Sequence, residues 1–130
     1  MVNRYNIDIS VEDLEIVLHM IHPPDYKKYD WKYQVVANKV NQLDVDKLDY
    51  IQRDCHYLGM KCGGEYSRII NDAKVFIINE NKSVIAWPNK LQYEIFTLFS
   101  SRYRLHKQVC NHHATKSYEF IIIDILKELN

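Results

Sequence analysis

Apolar residues recur at spacings of three and four through the middle of the chain, at Val45, Leu48, Ile51, Cys55 and Leu58. On a helix these positions form one stripe that must pack against the protein, so the pattern predicts a helix from about Asp44 to Gly59. The opposite side carries Asp46, Tyr50, Arg53, Asp54 and Tyr57 at i, i+4, i+7, i+8 and i+11. A merely solvated face more often carries Lys and Glu without two tyrosines. There a carboxylate can ligate a divalent ion, Lys47 and Arg53 can meet phosphate, and the tyrosines can hold a sugar or stack on a ring.

Upstream, Ser10-Val11-Glu12-Asp13 reads as a capping box, and Val11, Leu14, Val17, Leu18 and Ile21 continue a helical stripe until Pro23-Pro24 stop it. His19 and His22 stand at i, i+3 without a third ligand, which favours a structural role. A polar connector from Asp25 to Asp30 leads to a short helix over Trp31 to Lys39. Gly59 is the C-cap candidate of the central helix, Gly63-Gly64 makes a turn, and Glu65 to Ala73 suggests a brief helix.

Two short apolar runs, Val75 to Ile78 and Ser83 to Trp87, flank Asn79-Glu80-Asn81-Lys82 and predict a β-hairpin ended by Pro88. From Leu91 to about His113 a long helical pattern resumes, with Arg102, His106, Val109, Cys110 and His113 on one face. The segment Tyr118 to Leu129 is apolar nearly all round if helical, so its cover is expected from another chain or another copy. The expected fold is one mainly α domain over residues 1–130 with one small β-hairpin.

Seventeen basic residues balance seventeen acidic ones, so no global field draws the chain to nucleic acid, and any anion site has to be local. Neither a signal-peptide core nor an apolar run of roughly 20 residues is present, so the reading is an intracellular protein, cytoplasmic or nuclear, neither secreted nor held in a membrane. Cys55, Cys62 and Cys110 match no zinc spacing and no disulfide framework, and are expected to be reduced thiols.

The run Ala37-Asn38-Lys39, Asn41, Asp44-Val45-Asp46-Lys47, Asp49-Tyr50, Arg53-Asp54-Cys55-His56 and Leu58-Gly59 resembles a signature of the SAM-domain and HD-domain-containing deoxynucleoside triphosphate triphosphohydrolases. The similarity extends, more weakly, from about Ser10 to Leu129. It implies a partial HD-type phosphohydrolase domain, corresponding to the C-terminal portion of the catalytic domain. In that family a divalent metal (Mg, Mn, Zn or Fe), held by two histidines and two aspartates, promotes attack on the α-phosphate and leaves deoxynucleoside and triphosphate. By the resemblance Asp46 is the last metal ligand, Lys47 a phosphate contact, and Tyr50 and Asp54 hold the phosphate and the sugar 3′-hydroxyl. Arg102-Tyr103-Arg104-Leu105-His106 is similar to the family's Arg-x-x-Leu-His, which puts Arg102 on phosphate and His106 in the substrate pocket. Cys110 and Asn111 stand where the family usually has a Tyr on the deoxyribose and a Gln near the base. Glu65 and Arg68 match an acid and an Arg that bind an activating guanine nucleotide.

One departure is large. The family's second and third metal ligands are an adjacent His-Asp pair, and these 130 residues contain no His-Asp dipeptide. One carboxylate cannot fix the geometry of a divalent ion. The expectation is therefore a dNTP triphosphohydrolase-like chain, truncated and inactive alone. The alternatives are a non-catalytic nucleotide-binding or oligomerisation module, or one chain of a split hydrolase whose companion carries the His-Asp motif.

Overall fold

The computed structural model describes residues 9–61 and 66–129. The expectations for Cys62, the Gly63-Gly64 turn and Glu65 lie outside the described residues. The structure is mainly helical with one two-stranded antiparallel hairpin, as the apolar periodicity predicts. Among the described residues no helix is long and apolar enough to cross a membrane.

The chain divides into two compact units, one from Met1–Asp49 and Ile70–Pro88, the other from Tyr50–Ile69 and Asn89–Asn130. In the first unit, helix α1 (Val11–Ile21) starts at a full capping box: the Ser10 hydroxyl accepts from the Asp13 N–H, and the Asp13 carboxylate accepts from the Ser10 N–H. The paired prolines follow directly, so α1 ends where the sequence places its end. The short helix expected over Trp31 to Lys39 is a single 3₁₀ turn, Trp31–Gln34, capped by the Asp30 side chain. Tyr33, Gln34, Asn38, Leu43, Asp44 and Leu48 are buried.

Buried Gln34 organises the hairpin, β1 (Lys74–Asn79) with β2 (Lys82–Ala86). Its side-chain amide donates to the Ser83 and Lys28 carbonyls, and its side-chain oxygen accepts from the Ile85 N–H. One side chain thus satisfies groups on β2 that would otherwise be left open. Asn41 adds a bond to the Ile85 carbonyl. The hairpin register slips between Ile77 and Asn79, a bulge beside the turn.

Helix α2 (Val45–Tyr57) begins in the first unit and ends in the second. Its C-terminus is a Schellman closure: Gly59, at φ +64°, sits past the end, the Met60 N–H reaches the Cys55 carbonyl, and the Gly59 N–H reaches the His56 carbonyl. A left-handed backbone there suits glycine. The second unit continues with α3 (Tyr66–Asn71), which passes back into the first, and α4 (Gln92–Leu105). Leu98, Ser101 and Leu105 of α4 are buried, with Ile51, Cys55, Tyr66, Ile69 and Leu91, as the core of this unit.

Two expectations need correction here. Cys55 is disulfide-bonded, whereas Cys110 is a free, exposed thiol. Pairing depends on how close two Cβ atoms come in space, which sequence spacing does not show. The unbroken helix expected from Leu91 to about His113 is α4, then a π-helical segment His106–Cys110, then α5 (His113–Glu128). The Asn111 N–H bonds to the His106 carbonyl at 2.8 Å, the i to i−5 pattern of a π turn.

Candidate functional site

The first unit holds Asp46 and Lys47. Asp44 is the N-cap of α2, and its carboxylate is fully used: one oxygen accepts from the Lys47 N–H at 3.1 Å, the other from the Asn38 N–H at 3.0 Å and from the Lys47 ammonium at 3.1 Å. The Asp44 side chain is 4% exposed and that of Lys47 is 16% exposed, so the pair is held in a largely dry setting. An unpaired charge there would cost several kcal/mol, roughly 3 to 5. Lys47 is thus oriented by Asp44 and keeps two further donor hydrogens. Lys28, Lys39 and Lys47 line a cleft of about 530 Å³ in this unit. A larger cleft, about 640 Å³, lies between Trp31, Lys32 and the hairpin turn and contains none of the sequence-predicted site residues.

Asp46 is exposed on the first turn of α2. Among the described residues no group of three or more His, Cys, Asp or Glu side chains is arranged to hold a metal ion. The donors present do not fit a catalytic divalent ion, which needs several protein ligands. His19, in the same unit, accepts from the Lys27 ammonium at 3.0 Å and meets the Tyr33 ring edge-on.

The second unit holds Tyr50, Asp54, Arg68, Arg102, His106, Cys110 and Asn111. Arg102 Nε–H donates to the Tyr50 hydroxyl at 3.0 Å, bringing together residues from the two separate motifs. Both side chains are half-buried. Among the described residues Arg102 has no carboxylate within ion-pair distance, so the guanidinium keeps free donors and an uncompensated charge. Asp54 follows Tyr50 by one turn, and its carboxylate lies 3.6 Å from Arg53. His106 follows Arg102 by one turn, half-buried at the start of the π segment. Cys110 and Asn111, at its end, are exposed. Arg68 is paired with Glu94 of α4.

Tyr66 was not among the sequence candidates. Its hydroxyl is buried without a hydrogen-bond partner, and burial pushes the phenol above its ordinary value while the neighbouring Ser101 side chain pulls it part of the way back. Asp44 could have been found from sequence, as an Asp directly before the apolar-periodic run and three residues before Lys47. Lys28 carries no such signal, because only the fold brings the connector to the loop before α2.

No family model matches the chain. A deoxynucleoside triphosphate triphosphohydrolase SAMHD1 homolog of Dictyostelium discoideum is 36% identical over 120 residues, covering 90% of this chain and 22% of that protein. An HD domain-containing protein of Acanthamoeba polyphaga mimivirus is 34% identical over 91% of this chain and 25% of its own length. The deoxynucleoside triphosphate triphosphohydrolase SAMHD1 of Homo sapiens is 35% identical over 71% of this chain and 14% of its own length. The chain is a relative of part of these proteins. It spans about a fifth to a quarter of the first two, and their mainly α character agrees with the fold described above.

Proposed function

We propose that this chain supplies phosphate- and sugar-contacting residues of an HD-type deoxynucleoside triphosphate triphosphohydrolase, and that the remaining metal ligands come from another segment or a companion chain. The observation that carries the reading is Arg102: a half-buried cation with no acidic partner among the described residues, oriented by the Tyr50 hydroxyl. A structural arginine in that setting is ordinarily paired with an acid, and a phosphate would complete it. Lys47, oriented by Asp44, contributes a second phosphate contact from its own unit. Asp46 is the residue assigned to the metal, and no step through a metal is assigned to this chain by itself. His106, Cys110 and Asn111 are assigned to the sugar and base end, and Arg68, with Glu65, to a regulatory nucleotide.

Titration calorimetry with dATP and dGTP tests the reading. Binding in the range between millimolar and micromolar, about 4 to 8 kcal/mol, is expected, falling with salt and weakened by Arg102→Ala. Metal-dependent release of triphosphate is expected only when a chain carrying the His and His-Asp ligands is added, and Asp46→Asn should abolish it. Binding unaffected by Arg102→Ala would sink the reading.

A second reading, a non-catalytic assembly module, is favoured by α5, where Phe120, Ile121, Ile122, Ile125 and Leu126 are all exposed. Light scattering decides it. Self-association abolished by Ile122→Asp with Ile125→Asp, alongside absent nucleotide binding, would favour the module.

A further inference from the structure

We propose that the cleft lined by Lys28, Lys39 and Lys47 binds a chain of adjoining phosphate groups, with inorganic tripolyphosphate as the simplest member of the class. The proposal deepens the phosphate role given to Lys47 and rests on that reading for this one residue. The cleft measures about 530 Å³ and lies wholly within the first unit. Three ammonium groups line it against two carboxylates. Neither carboxylate competes strongly for an incoming anion. Asp44 is committed to Lys47 and to the Asn38 N–H. Asp25 meets Lys39 at 3.6 Å with its side chain 87% exposed, a water-screened pair that opens at little cost.

Lys28 has no acidic partner among the described residues; its ammonium lies 5.4 Å from the Tyr29 ring centre. No aromatic side chain lines the cleft, so it offers nothing for a base to stack on. Three separated cations suit an anion whose charge is spread along its length better than a single phosphate. Gln42, in the same wall, holds a left-handed backbone at φ 60°, a conformation that costs of order 1 kcal/mol and recurs where loops shape ligand sites.

Calorimetry of the full chain at low salt, with tripolyphosphate and orthophosphate as probes, tests this. Tripolyphosphate should bind about tenfold or more tightly than orthophosphate, since each added charge-assisted contact contributes. Lys28→Ala and Lys39→Ala should each weaken it by about threefold to tenfold, with unchanged circular dichroism, while Lys116→Ala, an exposed lysine of α5, should leave it within about twofold. Equal affinity for the two probes overturns the proposal, and so does a loss no greater in the Lys28 and Lys39 variants than in the Lys116 control. A dATP arm separates the sources of the phosphate: sensitivity to the same two lysines points to the tail of a nucleotide, indifference to a free polyphosphate, and either agrees with the proposal. Nucleotide binding that ignores Arg102 removes the functional reading above and leaves this one standing.

Discussion

Arg102 and Tyr50 are 52 positions apart in sequence, and a single 3.0 Å hydrogen bond from the guanidinium to the phenol oxygen joins them. The bond leaves the remaining guanidinium hydrogens available. In a double-mutant cycle, Tyr50→Phe and Arg102→Ala should show a coupling of about 0.5 to 1.5 kcal/mol in unfolding free energy. Arg102→Ala should also weaken dATP binding by about tenfold or more, and Tyr50→Phe by less, because the phenol orients the cation instead of carrying the charge. Urea unfolding and calorimetry provide the two readouts.

Asp44→Ala should be among the most disruptive single changes in the first unit. It removes the α2 cap, the acceptor for the Asn38 N–H and the counter-charge of Lys47 together. A loss of about 2 to 4 kcal/mol is expected from urea unfolding, since a cap alone accounts for about 1 and an orphaned buried charge for more. Asp44→Asn keeps the cap geometry and should lose less.

Replacing Gln34 with Leu conserves volume roughly and strands three backbone groups, the Lys28 and Ser83 carbonyls and the Ile85 N–H. Destabilisation of about 2 to 4 kcal/mol should follow. Hydrogen exchange at Ile85 gives the local readout: its amide should lose protection by more than the global loss of stability accounts for.

Tyr66 gives a pH dependence with a definite sign. Its phenol is raised above the ordinary 10.0 in the folded state by burial, an effect partly offset by Ser101. Below that value both states hold the proton and the contribution is constant. As pH rises past it the unfolded chain ionises first, so stability falls with pH up to the folded value. Urea unfolding between about pH 9 and 11 should show a shallower decline for Tyr66→Phe than for the parent chain. At neutral pH the same change removes a buried, unpaired hydroxyl and should be neutral to stabilising by about 1 kcal/mol.

Local chemistry was the legible part of the fold. The Ser10–Asp13 box, the proline stop after α1, the α2 stripe, Gly59 past its end and the hairpin all follow from short-range rules that the residues themselves express. The Gln34 bridge was hidden, because a polar residue gives no sign that it will turn inward to complete β2. Cys55 gave no sign of its disulfide for a comparable reason: its apolar-stripe position predicts burial, which it has, and says nothing of a partner. At the candidate site, Tyr50 and Arg102 were each named from their own motif, but the bond between them needed the fold. The cleft around Lys47 was illegible, since its lysines come from a connector, a loop and a helix with no shared period.

The π segment His106–Cys110 changes what a deletion can do in this helix. A wider turn accommodates more residues per revolution than an α turn, so it takes up chain that a regular helix would have to push into the next loop. Removing one residue, Gln108 for instance, should let the segment relax to α geometry with little loss of helical content. Every side chain from Val109 onward would then turn by roughly 100° relative to Arg102 and His106. The same deletion inside α4, between Leu98 and Leu105, would instead drive buried positions out of the core. The segment is thus a place where the chain can gain or lose a residue and re-aim its C-terminal helix without dismantling the core that holds Arg102.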